Sequence, residues 1–138
     1  MNPSTAQARA IVDELVRCGV TDAVLAPGSR SAPLAIALAE AEARSDLVLH
    51  VRLDERSAGY LALGLAKVTG IPAVLVTTSG TAAVNVHPAI VEADQSAVPM
   101  LVLTADRPPH LRSVGANQTV RQPGIFGDAV RLATDLAV

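Results

Sequence analysis

The sequence predicts an α/β fold: a doubly wound, mainly parallel sheet with helices on both faces. Three observations carry that expectation. Short apolar runs alternate with longer helical stretches. The runs are apolar throughout rather than at every second residue, the mark of strands covered on both faces. Turn residues close almost every run. The 138 residues fit one domain with a core of its own. Half are hydrophobic, yet there is one Tyr, one Phe and no Trp. The core therefore falls to Ala, Val, Leu and Ile, which suits small-faced helices packed on a branched-residue sheet.

The elements follow in order. Ser4 and Gln7 form a capping-box pattern for a helix that carries Ala8, Ile11, Val12 and Leu15 on one face and stops at Gly19. Ala23 to Ala26 reads as a strand halted by Pro27-Gly28, and a second helix runs from about Ser31 to Ala43. Leu47 to Val51 is a strand, broken by Asp54-Glu55-Arg56. A third helix, Ser57 to Val68, is apolar almost all round and is expected to be deeply buried. Ala73 to Thr77 is a strand, residues 78–81 a turn, and Ala82 to about Ala93 a helix. Pro88 lies inside that helix, lacks a backbone donor and crowds the carbonyl of Val84, which predicts a kink. Met100 to Thr104 is a further strand, and the polar stretch from Ala105 to Gln122 is long for a simple connection. Arg131 to Val138 reads as the start of another strand, so the domain is expected to be incomplete at its C-terminal end.

Composition excludes several function classes. A net charge of −2 gives no polybasic footprint for nucleic acid or anionic membrane. The single cysteine, Cys18, permits neither an internal disulfide nor a cysteine-based zinc site. No apolar run approaches the ~18 residues of a membrane span, and no signal pattern opens the chain, so a cytoplasmic protein is expected. His50, His87 and His110 have no metal-ligand spacing.

In a parallel α/β sheet, ligands bind at the loops leaving the carboxyl ends of the strands. Four such loops hold every chemically notable residue. Ser29 and Arg30 follow Pro27-Gly28 at a helix start, where free amides and a guanidinium suit a carboxylate or phosphate; ordinary capping by Ser29 explains the loop equally well. Glu55 sits between a strand and an apolar helix, where partial desolvation lets a carboxyl hold or share a proton; a first-turn acid favoured by the helix dipole is the plainer reading, with Asp54 as N-cap. Thr78, Ser79, Gly80 and Thr81 either meet a ligand or cap the next helix. The last loop carries Arg107 ahead of two prolines, then Asn117 and Gln118, a set that suits a small polyanion or a solvated surface.

Taken together, PGSRSAPL, LDERSAGYLALGLAK, VTTSGTAAVNVHPAIVEA, LTADRPP and GANQTVRQPGIF resemble the 2-succinyl-5-enolpyruvyl-6-hydroxy-3-cyclohexene-1-carboxylate synthase family of thiamine diphosphate enzymes, over essentially the whole chain. The resemblance implies that residues 1–138 form its N-terminal pyrimidine-binding domain. It implies that Glu55 hydrogen-bonds N1′ of the aminopyrimidine and is the catalytic residue of this part. Ser29, Arg30, Arg107, Asn117 and Gln118 match substrate-pocket positions, and Thr78, Ser79 and Gly80 lie near the cofactor. The implied reaction takes carbon dioxide from 2-oxoglutarate and adds the succinyl unit to isochorismate. Members also carry a central domain and a diphosphate-binding domain with a Gly-Asp-Gly…Asn signature for Mg²⁺. No such signature occurs in these residues, so the chain alone is expected to be inactive and to work against the diphosphate domain of a partner chain in a homo-oligomer. Two other readings stand beside it: a non-catalytic anion-binding or interaction domain of the same fold, and the pyrimidine domain of an acetolactate synthase-like enzyme. An unpartnered apolar surface is a further expectation.

Overall fold

The computed structural model describes residues 2–136. Helix α1 (Pro3–Arg17) leads into strand β1 (Asp22–Leu25), followed by helix α2 (Ala32–Ala43), strand β2 (Val48–Val51) and helix α3 (Glu55–Thr69). Strand β3 (Ala73–Thr77), helices α4 (Thr81–Asn85) and α5 (His87–Gln95) and strand β4 (Met100–Thr104) complete the frame, with 3₁₀ turns at 29–31, 109–111 and 127–129.

The four strands are all parallel, in the order β2-β1-β3-β4. The alternation of side chains along β1 explains the two layers. Ala23 and Leu25 face α1 and α2, packing with Val12, Leu38, Ala41, Val74 and Val76. Val24 and Ala26 face the other way, into a core with Ala58, Ala62, Ala66, Leu75, Val86 and Ile90 from α3, α4–α5 and their neighbours. The doubly wound expectation therefore holds. The small faces matter: Gly59 lies so close to α5 that an added Cβ would be 3.0 Å from Ala89 Cβ, an approach only small residues permit.

Several local expectations are corrected. The N-cap of α1 is Asn2, whose side chain accepts from Ser4 N–H at 2.9 Å, with Pro3 at the helix start. Ser4 is thus inside the helix, because Pro3 is preorganised for the first turn and moves the start forward. Helix α3 is not buried all round: Tyr60, Gly64, Lys67 and Val68 lie on an exposed face, and burial follows Ala58, Ala62 and Ala66. Its uniform apolarity reflects an uncovered surface rather than a central position. Pro88 does more than kink: the helix breaks at Val86, and Pro88 falls in the first turn of α5, where no donor is missed. Residues 131–136 form no strand, and 137–138 lie outside the described residues. Apolar side chains are exposed at the rim and along the edge strand β2, with Leu53 87%, Val48 53% and Val51 50% exposed. Among the described residues no helix is long and apolar enough to cross a membrane.

Candidate active site

Because all four strands run the same way, their carboxyl ends share one rim. The strand order reverses direction between β1 and β3, which makes the loops after these two strands the topological switch point, where sheets of this kind bind ligands. Gly28 and Thr78 meet there. A Cβ on Gly28 would lie 2.4 Å from Thr78 Cβ, so glycine is required by space; its backbone is extended, at φ −165°.

The β1 loop differs from a plain helix start. Ser29 and Arg30 occupy a 3₁₀ turn, and α2 begins only at Ala32. Ser31, fully buried, organises the turn: its Oγ accepts from Gly28 N–H at 3.1 Å and donates to the Gly28 carbonyl at 3.1 Å. Ser29 is exposed and its hydroxyl has no partner among the described residues, so it caps nothing. That leaves Arg30 aimed across the rim. Its Nη1 donates to Gln118 Oε1 at 3.4 Å and its Nη2 to the Asn117 carbonyl at 3.3 Å.

Arg107 arrives at the same point from the β4 loop, donating from Nη2 to the Asn117 carbonyl at 3.0 Å. Its backbone is clamped on both sides. Asp106 Oδ1 accepts from Arg107 N–H at 2.7 Å, and Arg112 Nε donates to the Arg107 carbonyl at 2.7 Å. Arg112 Nε also lies 3.0 Å from Asp106 Oδ2, an ion pair without hydrogen-bond alignment, since the N–H is already spent on the carbonyl. Arg30 and Arg107 each keep a buried Nε with no protein partner, so neither fork is saturated by the fold.

The turn after β3 does not cap α4. The N-cap position is Gly80, with no side-chain cap, and Ser79 instead donates to the Gln118 carbonyl at 2.8 Å while Gln118 Nε2 donates to the Ser79 carbonyl at 3.2 Å. Capping is thus excluded as the reason for Ser79, which is fully buried. Thr77 and Thr78 are buried as well, with hydroxyls unpartnered among the described residues. Gly80 has φ +81°, and a Cβ there would meet the Gln118 carbonyl oxygen at 3.0 Å, so the turn and the Gln118 segment abut directly.

Glu55 is the first residue of α3, at the carboxyl end of β2. Capping belongs to Asp54, whose Oδ1 accepts from Ser57 N–H and Ser57 Oγ–H, each at 2.7 Å. These bonds, the hydroxyl's first, hold the Asp54 carboxyl below the usual aspartate range. Glu55 is half-buried and has no hydrogen-bond or ion-pair partner among the described residues. Its carboxylate, beside the positive helix end, is therefore uncommitted.

The structure brings Arg30, Arg107, Asn117, Gln118, Ser79 and Gly80 into one connected set and places Glu55, Ser29 and Thr78 on the same rim without joining them to it. Asn117 enters through its backbone, with its side chain exposed. Sequence reasoning missed Gln122, 5% exposed, which accepts from Gly80 N–H at 3.1 Å and donates to the Ala105 carbonyl at 2.8 Å. Only its place in the RQPG segment could have drawn notice. Two histidines are structural, His50 pairing with Asp22 at 2.9 Å and His87 meeting Phe126 edge-on, and His110 is exposed.

Residues 6–125 match the family described as "Thiamine pyrophosphate enzyme, N-terminal TPP binding domain". The full chain is 61% identical to the 2-succinyl-5-enolpyruvyl-6-hydroxy-3-cyclohexene-1-carboxylate synthase of Thermobifida fusca, covering 24% of that protein. It is 62% identical to the synthase of the same name from Saccharopolyspora erythraea and 57% to that of Mycobacterium avium, covering 25% of each. The chain thus spans about a quarter of the length of these relatives. With its parallel sheet, its switch point between β1 and β3 and a match over most of its residues, the chain belongs to the thiamine pyrophosphate enzymes, as an N-terminal TPP binding domain.

Proposed function

We propose that this chain is the pyrimidine-binding part of a synthase that decarboxylates 2-oxoglutarate and adds the succinyl unit to isochorismate, as the name of its relatives indicates for their product. The observation that carries the proposal is the meeting of Arg30 and Arg107 at the Asn117 carbonyl, with donors to spare on both forks. Both substrates are dicarboxylates, and paired guanidiniums bind carboxylates with fixed geometry. Gln118 and the exposed Ser29 hydroxyl and Asn117 amide supply neutral hydrogen bonds at the edge of that pair.

The residues present fit thiamine diphosphate. Among the described residues the buried Thr77 and Thr78 hydroxyls lack partners at this rim, Gly28 lets the β1 and β3 loops touch, and the Glu55 carboxylate is unspent. When bound, the cofactor supplies an electron sink for the carbanion equivalent left by decarboxylation. Glu55 holds a proton at N1′ of the aminopyrimidine through a charge-assisted hydrogen bond. Thr78, Ser79 and Gly80 shape the cofactor side of the site from beneath, while Arg30 and Arg107 orient the substrate carboxylates. The diphosphate and its Mg²⁺ belong to a further domain, from a partner chain in a homo-oligomer. The exposed apolar residues Leu53, Tyr60 and Val68 suit cover by such a partner.

The test is Glu55→Gln in the chain joined to its central and diphosphate-binding domains. Product formation from 2-oxoglutarate and isochorismate is expected to fall by about 10²-fold or more, with the melting temperature held. A variant as fast as the parent would refute the assignment.

A further inference from the structure

We propose that Gln122 is a positioning residue: it locks the turn after β3 to the segment after β4, and so sets where Gln118, Arg30 and Arg107 stand. The inference rests on the pocket reading given under Proposed function. Gln122 is 5% exposed and spends both ends of its amide, on Gly80 N–H at 3.1 Å and the Ala105 carbonyl at 2.8 Å. The chemistry fixes its orientation, since a backbone N–H can only donate and a carbonyl only accept. Of these two partners, Gly80 ends the turn that abuts Gln118, at the start of α4, and Ala105 begins the loop that carries Arg107.

From Gly80 the linkage runs on without a gap. Ser79 and Gln118 exchange two hydrogen bonds, at 2.8 and 3.2 Å, and Gln118 with the Asn117 carbonyl receives Arg30. On the other side Ala105 N–H donates to the Thr77 carbonyl at 3.0 Å, which ends the sheet ladder. The Gln118 segment has no strand or helix to hold it, and Gln118 itself sits at φ +55°. One buried amide therefore replaces the ladder where β3 and β4 stop pairing. Without it the Gly80 N–H is left buried and unpaired, and the turn is free to shift by the fraction of an ångström that matters for orientation.

The experiment uses the chain joined to its central and diphosphate-binding domains, with Gln122→Met, which keeps the volume and removes both bonds. Steady-state kinetics are expected to show KM for isochorismate raised about tenfold, with kcat falling by less. A folded variant whose KM stays within about twofold of the parent overturns the proposal. Should Gln122→Met not fold, Gln122→Glu, which keeps the acceptor for Gly80, is judged by the same KM criterion. Hydrogen exchange at the Gly80 amide reads the lock directly: slow in the parent and accelerated in the variant supports it, and fast exchange in the parent overturns it. Absence of product from the parent would refute the proposed function instead, and the exchange comparison would then decide the lock alone.

Discussion

Gly28→Ala is the sharpest test of how the rim is built. The new Cβ would stand 2.4 Å from Thr78 Cβ, 2.5 Å from Cγ2 and 2.7 Å from Oγ1. Carbon atoms prefer ~3.5–4.0 Å, so three contacts are each about 1 Å too short and the two loops must separate. Overpacking of this kind costs up to about 3 kcal/mol. With an unfolding entropy of roughly 2.1 cal/mol/K for each of 138 residues, that becomes a melting shift of about 10 °C. A double-mutant cycle isolates the cause. Thr78→Gly removes all three clashing atoms, so in that background Gly28→Ala should cost under about 1 kcal/mol. Thr78→Ala leaves Cβ in place at 2.4 Å and should relieve little. Urea titrations of the four corners measure the coupling. Equal cost of Gly28→Ala in both backgrounds, or a single variant melting within about 2 °C of the parent, would refute the packing argument.

Other outcomes follow from the same geometry. Arg107→Lys keeps the charge but loses the planar fork, so KM for the dicarboxylate substrates should rise about tenfold in the chain joined to its other domains, measured by initial rates. An unchanged KM would remove Arg107 from the pocket. Asp54→Asn separates capping from charge. The Asp54 carboxyl is held low by Ser57, so its stabilisation is present above the ordinary aspartate value and lost as pH falls through the lowered folded one. The variant, with no carboxyl to titrate, should show a flatter urea midpoint below about pH 4, and an identical acid limb would contradict this.

How much of the molecule could be read beforehand depended on the range of the forces involved. The strands at Ala73–Thr77 and Met100–Thr104 were legible to the residue, because apolar runs bounded by turn residues leave little choice. Helix α3 was legible as a helix but not in its burial. Periodicity reports which faces are apolar, and cannot say whether a neighbour covers them. Ser4 looked like a cap because its spacing to Gln7 fits, yet Pro3 had already begun the turn. The rim was legible as four loops. Its internal wiring was not, since Ser79 to Gln118 spans 39 residues and no local pattern encodes such a pairing.

The sequence by itself determined the α/β class, the parallel sheet and the gathering of Arg30, Glu55, Ser79, Arg107 and Gln118 at one end of it. Those follow from hydrophobic pattern and strand direction, which each segment carries alone. Only the tertiary structure decided that Arg30 and Arg107 meet at one carbonyl, that Ser79 serves the Gln118 loop instead of a helix, and that Gln122 ties the turn after β3 to the segment after β4. Hydrogen bonds form wherever burial leaves donors and acceptors face to face, and that is settled by the packing of distant segments.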